Sequence, residues 1–226
     1  MLLAIDTSTD MAGLALVEDK RLIVEMTWRC EQNHTTQLLP RLEILLQRSG
    51  LDIKSATAII VAKGPGSFNG LRVGVGTAKG LAFSLGVPLV GISTLEAEAF
   101  QFADCGFPVC SIHNAGRSEI GAAIYQKKRA GWKKLTEEHI TTLDELLSGI
   151  TAKTLFCGEY ISQIASDITD RLKSKAVIPP YAALPRRGFF LAELGQVRLD
   201  AGDTDNPAAL QPLYLRRPPI TERKVR

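Results

Sequence analysis

Three strand-like segments follow one another at the start of this chain, and the rest of the first 93 residues alternates helix with strand. The opening segments are residues 2–7, 12–17 and 22–27, separated by Ser8-Thr9-Asp10 and by Glu18-Asp19-Lys20-Arg21. Connections this short join antiparallel neighbours, so the three form a β-meander. Residues 35–48 then place Leu38, Leu42 and Leu45, with Leu39 and Leu46, at helical spacing, and Ser49-Gly50 supplies a stop. Pro40 is tolerated there only close to the helix start, or else it kinks the helix. Residues 56–62 form a short apolar run, residues 71–85 a second helix ended by Gly86, and residues 87–93 another buried strand. The order β-β-β-α-β-α-β predicts a mixed five-stranded sheet whose later strands, apolar on both faces, are its parallel members.

The 226 residues suffice for one large domain or two lobes without covalent staples. Beyond residue 100 the pattern weakens, with strands predicted at 109–113, 120–126 and 154–157 and helices at 143–147, 161–172 and 189–198. This reads as a second α/β lobe, so the expected division is 1–100 and 101–226. A duplicated fold is compatible with that division, although no internal repeat is visible. Hydrophobic residues make up 45% of the chain, yet no run approaches the roughly 18 apolar residues of a membrane span, and the N-terminus lacks a signal-peptide pattern. A cytoplasmic location is therefore expected, with Cys30, Cys105, Cys110 and Cys157 as reduced thiols. The group Cys105, Cys110 and His113 lacks zinc-knuckle spacing, so no metal site is expected there. The formal charge of +3 is unevenly spread. Residues 1–100 hold nine basic against ten acidic side chains, and the excess lies in Arg216, Arg217, Arg223, Lys224 and Arg226, opposed only by Glu222. Such a tail is either a solvated terminus or a salt-sensitive contact to a polyanion or a partner.

Gly64-Pro65-Gly66-Ser67-Phe68-Asn69-Gly70-Leu71-Arg72-Val73-Gly74 is the strongest local motif, placed where a strand meets a helix. Such a loop can offer backbone N–H groups to a phosphate. The spacing, however, matches neither the dinucleotide fingerprint nor the P-loop, which favours tight strand-to-helix packing through glycine. The helix that follows carries Gly70, Gly74, Ala78 and Ala82 on one stripe and Gly76, Gly80 and Ser84 on another. Glycine inside a helix costs about 0.5–1 kcal/mol relative to alanine, so close approach of a sheet or of a partner helix must offset it. Asp6, followed by Thr7 and Ser8 at the end of the first strand, could hold a hydrated Mg²⁺ or a catalytic water, or could simply cap the strand in an Asx-turn. His34 starts the first helix, but Leu38 stands where an i, i+4 metal pair needs a second histidine.

The segments Leu3-Ala4-Ile5-Asp6-Thr7-Ser8, His34-Thr35-Thr36-Gln37-Leu38-Leu39-Pro40, the glycine loop and Pro212-Leu213-Tyr214-Leu215-Arg216 together resemble the bacterial tRNA threonylcarbamoyladenosine biosynthesis family TsaB, also called YeaZ. Asn69 stands where the family usually has threonine, and Asn114-Ala115-Gly116-Arg117-Ser118-Glu119 is a degraded version of a further family region. The resemblance implies the actin-like, Hsp70-like ATPase fold (ribonuclease H-like), with two lobes, each a mixed sheet flanked by helices. It implies a non-catalytic subunit that heterodimerises with the catalytic paralogue TsaD, onto which the ATPase TsaE docks. The complex modifies the adenosine next to the anticodon of tRNAs reading codons that begin with A.

In such a family the first two helices make the partner contact, here through Leu38, Leu42, Leu45, Gly70, Arg72, Val73, Gly74, Thr77, Ala78, Gly80 and Leu81. Homodimerisation through the same surface is expected when the partner is absent. No cofactor and no metal are expected, with weak or absent ATP binding and Asp6, Thr7 and Ser8 as a vestigial nucleotide site. An alternative is an actin-like phosphotransferase using Asp6 and the loop from Gly64 to Gly70. A peptidase is disfavoured, because neither a metal pair nor a nucleophile triad is visible.

Overall fold

The computed structural model describes residues 1–184 and 188–216. Strands β1 (Leu2–Asp6), β2 (Met11–Glu18) and β3 (Arg21–Arg29) form the expected meander, followed by helix α1 (His34–Ser49), β4 (Ala58–Gly64), α2 (Phe68–Leu85) and β5 (Leu89–Ser93). The sheet runs β3-β2-β1-β4-β5, with β1 antiparallel to β2 and parallel to β4, and β4 parallel to β5. Strand alternation divides the core between two faces. Leu3 and Ile5 pack with Leu14 and Leu16 against α1 and α2, while Leu2, Ala4, Ala15 and Val17 face the other way. Pro40 lies well inside α1 on its exposed side, where water can satisfy the carbonyl that the missing N–H leaves behind.

The sequence missed several short elements. Helix α2 starts three residues earlier than its periodicity suggests, because Ser67 caps it by accepting from the Gly70 N–H at 3.3 Å. Helix α3 (Thr94–Phe100) was not anticipated; seven residues give too few turns for a readable period. The second lobe comprises β6 (Val109–Gly116), β7 (Glu119–Lys128), β8 (Gly131–Lys134), β9 (His139–Thr141), α4 (Leu143–Ser148), β10 (Thr154–Cys157), α5 (Ile161–Leu172) and β11 (Ala176–Val177). Its sheet order, β11-β10-β6-β7-β8 with β9 on β7, repeats that of the first sheet. The duplication invisible in the residues is therefore present in the topology.

Helix α6 (Gly188–Asp200), placed by sequence in the second lobe, packs instead on the first sheet, across its face opposite α1 and α2. Gly188 and Gly195 permit this, since a Cβ at either would press into Ala15 or Ile60. The division at residue 100 is thus crossed by the chain itself. Residues 217–226, which carry most of the basic tail, lie outside the described residues.

The lobes meet at β5–α3 and β7–β8. Tyr125 stacks on Trp132 with centroids 5.7 Å apart, Phe100 meets Trp132 edge-on at 5.4 Å, and the Tyr125 hydroxyl donates to Glu138 at 3.0 Å. Lys134 pairs with Glu138 at 2.8 Å. Half-buried Glu96 sits in this junction, and burial raises its pKa against the partial relief of Lys134. The folded protein then holds that proton more tightly than the unfolded chain. The stability Glu96 contributes is present in acid and is lost as pH rises through its folded pKa. Glu96→Gln is expected to raise the thermal midpoint at pH 8 by about 1–3 °C, with no gain near pH 4, in a melting series across that range.

Candidate functional site

β1 and β4 are parallel neighbours, so the turns leaving their C-terminal ends emerge side by side. Asp6 is buried there, and its Oδ1 accepts from the Ser8 N–H at 2.9 Å and the Ser8 hydroxyl at 2.6 Å. This is the Asx-turn geometry. Thr7 donates its hydroxyl to the Gly70 carbonyl at 2.7 Å, and the Ser67 N–H donates to the Ser8 carbonyl at 2.6 Å. A Cβ on Gly66 would collide with the Ser8 carbonyl, one on Gly70 with the Thr7 carbonyl, and one on Gly74 with the Thr7 hydroxyl. His34 Nε2 lies 2.8 Å from the Thr9 carbonyl, tying the start of α1 to the same turn. The glycine loop is thus packed onto the first turn. Its donors point inward, with the Gly70 N–H on Ser67 Oγ and the Leu71 N–H on the Ser67 carbonyl.

The same packing sorts the stripes of α2. Gly70, Gly74 and Ala78 are buried against the chain itself, as are Leu38, Leu42 and Leu45 of α1. These six predicted interface residues therefore face the core, because a leucine stripe at i, i+4, i+7 is the face an amphipathic helix buries first. Arg72 and Gly80 are exposed, and Val73, Thr77 and Leu81 are half-buried. Gly76 joins them on the outer face with open space around it, as around Gly80, and Phe83 is 83% exposed one turn further on. Leu39, 54% exposed, borders a groove of about 700 Å³ between the end of α1 and Leu81.

Between the lobes lie two adjoining cavities of about 430 and 400 Å³, both touching Gly66, His113 and Asn114. The first is lined mainly by apolar groups, including Pro65, Phe68, Ile140 and Leu213, with Arg216 at its side. The second is polar, lined by Thr9, Ser67, Glu98, Glu159, Tyr160 and Gln163. Glu98 is 1% exposed and accepts from Ser111 Oγ at 3.1 Å. Thr9 Oγ1 donates to Glu159 at 2.9 Å across the cleft. Sequence reasoning named Ser67 within the glycine loop but missed Glu98, Glu159, Tyr160 and Gln163, which lie far from it in the chain and share no local spacing with it.

The C-terminal segment spans the other side of the cleft. The Leu213 N–H donates to the Lys63 carbonyl at 2.6 Å, Tyr214 packs on Phe68 with centroids 5.0 Å apart, and Arg72 lies 3.7 Å over the Phe68 ring. Arg216 then pairs with Glu119 of the second lobe. Residues from Lys63 to Glu119 are thereby strapped together. Among the described residues no group of three or more His, Cys, Asp or Glu is placed to hold a metal, and no helix is long and apolar enough to cross a membrane. All four cysteines are free, and burial pushes the Cys110 thiol up to about 12, far from a thiolate.

Two sheets of matching order, each flanked by helices and facing each other across a cleft, define a two-lobed protein of the actin-like ATPase fold. The activator of the 2-hydroxyisocaproyl-CoA dehydratase from Clostridium difficile, solved with bound ADPNP, shares that fold with a TM-score of 0.51 at 11% identity, covering 91% of this chain and 98% of its own. YeaZ from Pseudomonas aeruginosa superposes with a TM-score of 0.79 at 23% identity, over 94% of this chain and 99% of its own. The family model for TsaD, tRNA N6-adenosine threonylcarbamoyltransferase, matches residues 28–178. The tRNA threonylcarbamoyladenosine biosynthesis protein TsaB of Bacillus subtilis is 32% identical over 218 residues, 95% of this chain and 93% of its own length. This chain belongs to the TsaB (YeaZ) family.

The two glycine stripes separate experimentally. Gly74→Ala, which forces a methyl group onto Thr7, is expected to destabilise by about 1–3 kcal/mol. Gly76→Ala and Gly80→Ala are expected to stabilise by about 0.5–1 kcal/mol, measured for all three by urea unfolding. Arg216→Ala is expected to speed amide exchange at residues 114–120 while leaving β1–β4 protected, read by hydrogen–deuterium exchange.

Proposed function

We propose that this chain acts in tRNA threonylcarbamoyladenosine biosynthesis as a non-catalytic subunit, pairing with the TsaD paralogue through the outer face of α1 and α2. The observation that carries this reading is the uncovered stripe Arg72, Gly76, Gly80 and Phe83, flanked by Leu81 and Leu39. Two glycines facing open space in a helix are unfavourable by themselves, and a helix approaching that face would offset their cost. The TsaD family match over residues 28–178 supports a partner of related fold, since like lobes pack through like helices. TsaE docks on the pair and tRNA binds the assembled complex. Without TsaD, the same face supports a homodimer.

The absence of a catalytic role for this chain is supported by the state of its candidate groups. The Asp6 Oδ1 is occupied by Ser8, and the N–H groups of Ser67, Gly70 and Leu71 in the loop are bonded within the chain. These features also count against the phosphotransferase alternative. Titration of the isolated chain with Mg-ATP is expected to show no micromolar binding; micromolar binding abolished by Asp6→Ala would overturn the scaffold reading.

Reconstituted tRNA modification is expected to fall to background when this chain is omitted, and equal modification without it would refute the assignment. Gly80→Leu and Phe83→Glu should each lower co-purification with TsaD at least tenfold while leaving the melting temperature within about 2 °C, because a Cβ at Gly80 meets open space and Phe83 is exposed. Normal co-purification by both variants would move the seam elsewhere.

A further inference from the structure

The β7–β8 hairpin concentrates positive charge in a way the net charge of the chain conceals. Residues 126–134 contain Lys127, Lys128, Arg129, Lys133 and Lys134 and no acidic side chain. The register sets Tyr125 opposite Lys134, Gln126 opposite Lys133, Lys127 opposite Trp132 and Lys128 opposite Gly131. Alternation then sends Tyr125, Lys127, Trp132 and Lys134 to one face and Gln126, Lys128 and Lys133 to the other. The first face is occupied: Tyr125 stacks on Trp132, Lys127 meets Asp104 at 2.6 Å, and Lys134 meets Glu137 and Glu138. On the second face Lys128 and Lys133 are diagonal neighbours, and Arg129 sits in the exposed turn beside them. Among the described residues none of these three has an acidic partner within salt-bridge distance.

Three unpaired cations held on a rigid two-stranded ribbon attract a polyanion. A protein partner or a membrane needs more than charge. Protein interfaces are anchored by exposed aromatic or large apolar side chains, and membrane-surface elements insert them. Trp132 is held against Tyr125, and Leu135, 41% exposed beside Lys133, is one aliphatic side chain rather than an anchoring cluster. Phosphate contacts, by contrast, are carried by Lys and Arg alone. We infer that Lys128, Arg129 and Lys133 form a contact for the phosphate backbone of RNA, additional to whatever the catalytic subunit supplies. The inference rests on the reading that the chain works in a tRNA-modifying complex. The hairpin lies at the far end of β7 from Asn114 and Arg216, near Lys20 of the β2–β3 turn, since Lys127 and Lys20 both act on Glu193 of α6. Its contact is therefore with a part of the RNA remote from the inter-lobe cleft. It gives affinity and orientation without base specificity.

The test uses the full chain assembled with TsaD and unmodified tRNA. Lys128→Ser, Arg129→Ser and Lys133→Ser are combined, and tRNA affinity is measured from about 50 to 200 mM salt. The expected result is binding about tenfold weaker at low salt, with the slope of log affinity against log salt reduced by about 2. KM for tRNA rises with that loss and kcat at saturating tRNA is unchanged. Lys127→Ser, whose cation is already paired, should have at most a twofold effect. If the triple variant melts early, the single variants give the same slope test one charge at a time. An unchanged slope in a folded, assembled complex overturns the inference, and so does loss of assembly with TsaD at unchanged intrinsic tRNA affinity. Neither result touches the functional reading, which fails only if modification proceeds equally well without this chain.

Discussion

The close contact between the turn after β1 and the loop after β4 governs the rest of this structure. Parallel pairing puts the two exits side by side, and hydrogen bonds from Ser67 to Ser8 and from Thr7 to Gly70 bring backbone against backbone. Only residues without a Cβ fit at Gly66, Gly70 and Gly74. That packing fixes where α2 leaves the sheet, which of its stripes is buried and which is left exposed. It also engages the Ser67 N–H with the Ser8 carbonyl, while the Gly70 and Leu71 N–H groups bond back to Ser67. One contact thus accounts for the burial of the glycine loop against the first turn.

The second organising element is the return of the chain to its first half. After β11 the chain crosses back to lay α6 on the first sheet, then runs past Leu210 and Leu213 before ending its described course at Arg216 on the second lobe. Together with the Thr9–Glu159 bond across the polar cavity, this strap sets the distance between the lobes. In open α/β sheets ligands bind in the crevice outside the carboxyl ends of the strands. Here that region carries carboxylates on its polar side and a crossing apolar segment on the other.

Much of the first lobe was legible because its signals are local. The apolar runs of β1 and β2 with the polar turn between them, the leucine spacing of α1 and the stop at Gly86 are each local signals, and each appears where the residues indicate. The second lobe was harder to read, since β8, β9 and β11 have four, three and two residues and α3 only seven. The exposure of the residues expected at the interface was not legible. Leu38, Leu42, Leu45, Gly70, Gly74 and Ala78 have the composition of a contact surface, but the contact is with their own sheet.

By itself the sequence determined the order of β1 to β5 with α1 and α2 between them, the glycine stops of those two helices and, through four separated motifs, the family. Only the tertiary structure decided that the second sheet repeats the first, that α6 belongs to the first lobe, and that Gly76 and Gly80 are open while Gly74 is not. The physical reason is that spacing along a chain states which side chains share a face. Which body covers that face depends on long-range packing, and on that question two glycine stripes of one helix are indistinguishable until the fold is complete.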